Sequence, residues 1–128
     1  MKISSKALRL YAVTDRSWLK ENQTLTDAVE KAILGGVTIV QLREKNTDFQ
    51  EQLSLAQELK TVCKKYNVPL IINDSVELAL KSGADGVHLG QSDGDIKKAR
   101  EILGNNAIIG ATAHNVNEAV SAFKSGAD

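Results

Sequence analysis

Short apolar runs alternate with amphipathic stretches along the whole chain. The runs cover Leu8–Val13, Val37–Leu42, Leu70–Ile72, Gly86–Leu89 and Ala107–Ala111. Four are rich in Val, Ile or Leu without polar alternation, which predicts strands covered on both faces. Between them apolar residues recur at helical spacing. Leu25, Val29, Ala32 and Ile33 form one such stripe, and Leu55, Leu59, Val62, Cys63 and Tyr66 the next. Ile96, Ala99, Ile102 and Leu103 form a third, and Val116, Ala119, Val120 and Phe123 a fourth. A shorter helix around Val76–Leu80 separates the third and fourth strands.

The punctuation agrees with this reading. Thr47 precedes Gln50 by three residues and Asn115 precedes Glu118 by three, both shaped like helix N-terminal caps. Gly35, Gly83, Gly104 and Gly126 follow helical runs, where a left-handed residue is usually glycine. A series of βα units implies a parallel sheet, because each parallel return needs a crossover. The strands recur about every 25 residues, and eight such units need about 200, the lower end of the (β/α)8 barrel range.

The expectation is therefore an α/β fold, a TIM barrel of which about five of eight βα units are present. Residues 1–128 are then the N-terminal part of one barrel domain. The pentapeptide Lys-Ser-Gly-Ala-Asp occurs at 81–85, leading into a strand, and again at 124–128. On this pattern a sixth strand should follow the second copy, and the chain is expected to be a fragment. A five-stranded doubly wound sheet and a half-barrel closed by dimerisation are the alternatives.

Composition narrows the function classes. Sixteen Lys and Arg balance sixteen Asp and Glu, which leaves no basic excess for nucleic acid or for a membrane surface. Hydrophobic residues make up 42% and charged residues 25%, leaving little room for extensive disorder. No apolar run approaches the ~20 residues of a membrane span, and no signal-peptide core opens the chain. A single cysteine, Cys63, suits a reducing cytoplasm and reads as structural.

In a βα barrel the chemistry lies at the C-terminal strand ends and the loops beyond them. Polar residues gather there. Beyond the second strand a period of two puts Gln41, Arg43 and Lys45 on one face, away from the helix-facing Val40 and Leu42. Two cations and an amide suit a phosphate or diphosphate, although Arg and Lys past a strand also occur in solvated loops. Asn73 can donate to an anion and Asp74 can hold a hard cation, while Asn-Asp-Ser is equally an ordinary turn. Asp93 lies in the loop after the neighbouring strand, so two carboxylates face the cations, as a Mg²⁺ bound through substrate phosphates requires. His88 points to the substrate or is a satisfied interior histidine. Thr112 can complete an anion site, His114 reads as a loop residue, and nothing decides the role of Trp18. No Ser–His–Asp pattern, zinc spacing, Walker loop or dinucleotide fingerprint is present.

These residues resemble the thiamine phosphate synthase family. The resemblance is carried by Gln41-Leu42-Arg43-Glu44-Lys45, Ile72-Asn73-Asp74, Gly83 through Gln91 with Asp93, and Ile108-Ile109-Gly110, in order and spacing. It implies a (β/α)8 barrel that joins hydroxymethylpyrimidine diphosphate to hydroxyethylthiazole phosphate, giving thiamine phosphate and pyrophosphate with Mg²⁺. On that resemblance Gln41, Leu42, Arg43, Glu44, Lys45 and Asn73 bind the pyrimidine diphosphate, with Arg43 and Lys45 catalytic. Asp74 and Asp93 hold the magnesium, and Thr112 stands where the family usually has serine. His88 joins the substrate contacts. The family's later threonine-rich loop, its lysine and its glycine-rich thiazole-phosphate loops fall outside residues 1–128.

The implied partners are these small molecules, with no nucleic acid and no membrane, and with self-association left open. The implied reaction is a dissociative substitution needing no general base. A related thiazole tautomerase, or a non-catalytic truncated barrel that binds phosphate ligands or a partner, are the competing readings.

Overall fold

The computed structural model describes residues 3–128; the first two residues of the expected unit lie outside the described residues. The elements follow one another as β1 (Tyr11–Val13), a 3-10 turn (Arg16–Trp18), α1 (Leu25–Leu34), β2 (Ile39–Leu42) and α2 (Phe49–Lys65). They continue as β3 (Leu70–Asn73), α3 (Val76–Ser82), β4 (Gly86–Leu89), α4 (Ile96–Leu103), β5 (Ile108–Ala111) and α5 (Val116–Lys124).

Each α-helix starts on a side chain that accepts a first-turn N–H: Thr24, Asp48, Ser75, Asp95 and Asn115. Each such cap contributes about 1 kcal/mol by satisfying an N–H with no partner inside the helix. Asn115 matches expectation, accepting from the Glu118 N–H at 2.9 Å. The cap of α2 is Asp48 rather than Thr47, whose hydroxyl donates instead to the Glu44 carboxylate at 3.1 Å. Helix α3 ends on Gly83 at φ +69°, a left-handed position where a Cβ is disfavoured. At α1 the expected left-handed residue shifts by one: Gly35 is right-handed and Gly36 carries φ +119°.

Among the described residues the five strands are all parallel and lie in the order β1-β2-β3-β4-β5. A doubly wound sheet reverses its strand order at a switch point. This one does not, so that alternative is excluded. Strand β1 is shorter than the run Leu8–Val13, because only β2 pairs with it and the preceding residues fold into turns. Leu8 and Leu10 consequently stay about half exposed, at 47% and 49%.

Strand alternation divides the sheet into two faces. Val40, Leu42, Leu70, Ile72, Val87, Leu89 and Ile109 pack against the apolar stripes of α1 to α4 in the main core. On the other face Ile39 and Ile71 bury together with Ile3. Gly86 belongs to this inner face, where a Cβ would overlap the Ile108 carbonyl group, so β4 and β5 can approach only with glycine there. Helices cover one face and leave the other for the strand tips.

Candidate functional site

The inner face carries the parity of residues 39, 41 and 43 on β2, 71 and 73 on β3, 86 and 88 on β4, and 108 and 110 on β5. Register confirms it: Gln41 lies opposite Ile71, Asn73 opposite His88, and His88 opposite Gly110. Apolar at the N-terminal end, this face turns polar at the C-terminal end. There it opens into a cavity of about 630 Å³.

Gln41, Arg43, Lys45, Asn73, Asp74, His88, Asp93 and Thr112 all line this cavity. Leu42 and Glu44 do not. Leu42 is buried at 2% exposure in the helix-facing core, and the Glu44 carboxylate pairs with Arg16 at 2.8 Å on the other side of the strand. The pentapeptide 41–45 is thus split by strand parity: the side chains of Gln41, Arg43 and Lys45 face the cavity, while Leu42 and Glu44 border it through their backbone alone. Trp18 is 83% exposed and lies outside the cavity lining. His114 pairs with Glu118 at 3.0 Å in the loop before α5, as a loop residue should.

Lys45 reaches Asp74, Nζ to Oδ2 at 3.2 Å, and the Asn73 amide donates to the same oxygen at 2.9 Å. Asp74 holds φ +66° at the end of β3, while its N–H donates to the His88 carbonyl at 2.8 Å. The left-handed turn brings its carboxylate to the cavity, at a modest backbone cost that Asp tolerates better than most residues. Asp93 Oδ2 accepts from the Gly90 N–H at 2.8 Å, pinning the loop after β4. Arg43 forms no ion pair among the described residues; its backbone N–H donates to the buried Thr14 hydroxyl at 3.0 Å.

Burial depresses the His88 imidazole below its ordinary value, with the Asp74 and Asp93 charges pulling the other way. Its Nε2 lies 3.1 Å from the Thr112 hydroxyl. Gly110 makes room for the ring, since a Cβ there would sit 2.6 Å from His88 Nδ1. The Gln41 amide donates to the Tyr11 hydroxyl at 2.8 Å, and burial pushes the Tyr11 phenol up, opposed by that bond. Tyr11 and Gly90 line the cavity, and Thr14 and Arg16 stand behind it on the Arg43 N–H and the Glu44 carboxylate; sequence patterning selected none of the four for the site. Tyr11 and Thr14 belong to a short edge strand and its exit, where no cluster of charge draws attention.

The donor set can be tested against a divalent cation. Asp74 and Asp93 offer hard oxygens, yet no group of three or more His, Cys, Asp or Glu side chains gathers as a metal cage among the described residues. Two carboxylates facing two cations fit an ion that takes its remaining ligands from water and substrate phosphates, the habit of Mg²⁺. They do not fit a self-contained structural metal site.

A sequentially ordered parallel βα array with its charged cavity at the C-terminal strand ends belongs to the class of folds that carry chemistry at that rim. Within this class the chain belongs to the thiamine monophosphate synthase family, whose family model matches residues 10–128. It is 52% identical over 120 residues to the thiamine-phosphate synthase of Clostridium novyi (strain NT), covering 94% of this chain and 58% of that protein. It is 48% identical over 119 residues to a probable thiamine biosynthetic bifunctional enzyme of Schizosaccharomyces pombe, covering 93% of this chain and 23% of that one. A solved thiamine phosphate pyrophosphorylase from Pyrococcus furiosus superposes with a TM-score of 0.86 at 36% identity. That match covers 96% of this chain and 58% of the solved one. The chain therefore spans a little over half the length of these single-function relatives. No helix among the described residues is long and apolar enough to cross a membrane.

Proposed function

We propose that this chain is the part of a thiamine phosphate synthase that receives the pyrimidine diphosphate, within a barrel completed to eight strands by further βα units. One observation carries the reading: Arg43 and Lys45 share a cavity with Asn73, Asp74 and Asp93 at the C-terminal strand ends of a chain in this family. The alternate parity of β2 supports it, because it sends both cations to one side and leaves the apolar residues for the helices. A cytoplasmic setting belongs to the same reading, Cys63 being a buried free thiol.

Arg43 offers a planar fork to the diphosphate oxygens, Lys45 a mobile point charge, and Asn73 a neutral donor. Gln41, held by Tyr11, faces the pyrimidine, and the Thr112 hydroxyl beside His88 donates to phosphate. The bond from the benzylic-type carbon to the diphosphate oxygen breaks, and its electron pair leaves with pyrophosphate. The aminopyrimidine carries the resulting positive charge until the thiazole nitrogen forms the new bond. Arg43 and Lys45 stabilise the charge growing on the leaving group, and preorganised donors of this kind are worth roughly 10²–10³ in rate each. Asp74 and Asp93 would hold a Mg²⁺, which would supply further positive charge toward the diphosphate. No side chain is required to take a proton from carbon.

The test is turnover of the full-length protein. Asp93→Ala should lower thiamine phosphate formation by about 10²-fold or more and flatten its response to Mg²⁺. Rates that do not change across a Mg²⁺ titration would remove the metal assignment. Product formation from a thiazole substrate without pyrophosphate release would instead favour the tautomerase.

A further inference from the structure

The ladder of β2 ends at Leu42, yet the next three residues keep its alternation. Glu44 sits between two cations that must face the cavity. Parity turns this carboxylate to the opposite side, but left without a partner there it would compete for Arg43 or Lys45, and pairing with either would take a cation away from the ligand. The structure gives Glu44 a different partner. Arg16, in the turn after β1, places Nε at 3.0 Å from both Glu44 oxygens and Nη2 at 2.8 Å from Oε2. Its Nη1 reaches Glu51 in the first turn of α2 at 3.0 Å. Thr47 donates its hydroxyl to the same Glu44 carboxylate, and the Gln52 amide donates to the Glu44 carbonyl at 3.3 Å. The Glu44 side chain is only 7% exposed, so its charge is fully engaged away from the cavity.

We infer that Arg16 is a positioning residue for the anion site: by occupying Glu44 it keeps that carboxylate from competing for Arg43 and Lys45, so both stay turned to the cavity, Lys45 beside Asp74. The inference rests on the reading that this cavity takes a diphosphate. Arg16 touches no substrate; it acts through Glu44. Losing Arg16 leaves a largely buried carboxylate without its cation, and that carboxylate then draws Arg43 or Lys45 out of the cavity. Losing Glu44 as well removes the competitor. A mere brace behaves differently, because removing its second half restores nothing.

The experiment compares wild type, Arg16→Gln, Glu44→Gln and the double variant of the full-length protein. Calorimetry follows binding of inorganic pyrophosphate with Mg²⁺, kinetics give KM and kcat for the pyrimidine diphosphate, and circular dichroism follows melting. Arg16→Gln should weaken pyrophosphate binding and raise KM by about tenfold or more, the scale expected when one partner of a desolvated charge pair is truncated. The double variant should return to within about threefold of wild type, a strong departure from additivity for neighbouring groups, without melting higher than the single variant.

Wild-type affinity in Arg16→Gln, or a double variant no better than the single one, would overturn the inference while leaving the diphosphate reading intact. Absence of pyrophosphate binding by the wild type refutes the diphosphate reading, and this inference with it. If Arg16→Gln does not fold, Arg16→Lys with and without Glu44→Gln carries the same comparison, since lysine keeps the charge and loses the fork.

Discussion

Asp74 meets two demands at one position. It must supply a carboxylate to the cavity, and it must turn the chain out of β3 through φ +66°. A β-carbon in that region costs about 1–2 kcal/mol, less for Asp, and glycine escapes it. Asp74→Ala and Asp74→Gly both remove the carboxylate and should both abolish the Mg²⁺-dependent reaction. They should part in stability, the glycine variant unfolding about 1 kcal/mol later than the alanine variant in a denaturant titration. Equal stabilities would show that the turn carries no strain.

His88 adds a pH dependence. Its folded pKa lies below the ordinary 6.5, chiefly through burial. The unfolded chain therefore binds the proton first as pH falls, so the stability from this residue is present above about 6.5 and is lost as pH drops through the folded value. Melting temperatures of wild type should fall over that acid window more steeply than those of His88→Gln. Parallel curves would count against it.

At the scale of elements, the repeated Lys-Ser-Gly-Ala-Asp does the same work twice. The Asp85 carboxylate accepts from the Leu70 N–H at 2.8 Å and from Lys60 at 2.7 Å, and its own N–H donates to the Leu70 carbonyl at 2.8 Å. Asp128 repeats the pattern on β5: it accepts from the Ile109 N–H at 2.9 Å, pairs with Arg100 at 2.7 Å, and donates to the Ile109 carbonyl at 2.8 Å. Each copy ties a helix to the strand after it, Asp85 joining α2 to β3 and Asp128 joining α4 to β5, and the first copy also leads into β4. Asp85→Ala strands the Leu70 N–H next to the core and should cost about 1–3 kcal/mol, whereas Asp85→Asn keeps the acceptor and should cost less. Thermal melts of the two variants decide this, and equal losses would mean that the charge alone matters.

The repeat was visible in the sequence, but its carboxylate-to-strand bond was not, because Lys60 and Arg100 lie 25 and 28 residues away. The same holds for the site. Gln41, Arg43 and Lys45 announce their shared face through local alternation, and Asp93 through its loop. Arg16 could not be assigned because its partner Glu44 is 28 residues distant, and the identical alternation that selects the cations leaves Glu44 to the other side. Strands and helices were legible wherever periodicity governs. The edge strand β1 was overextended because hydrophobicity does not reveal that a neighbour is missing on one side.

At the scale of the whole molecule, burial is uneven. The cores of β2 to β4 are sealed, with Val40, Leu70, Ile72 and Val87 at 0% exposure. Toward α5 the apolar stripe loses its cover: Val116 is 76%, Val120 46% and Phe123 74% exposed. Among the described residues strand β1 pairs only with β2 and β5 only with β4. A polypeptide limited to these 128 residues thus offers two strand margins and an uncovered helix stripe at once.

Unpaired margins template association, and a contiguous apolar surface adds a non-directional drive to it. Such a polypeptide should self-associate at micromolar concentration, as sedimentation velocity would register, and Phe123→Glu with Val116→Glu should shift it toward monomer. The charged variants remove only the helix contribution, so residual association would be assigned to the strand margins. A monodisperse wild-type monomer melting in one cooperative step would show instead that the inner face and its margins are satisfied within the five βα units alone. The barrel completion proposed above would then lose its physical motive, while the cavity with Arg43, Lys45, Asp74 and Asp93 would still stand.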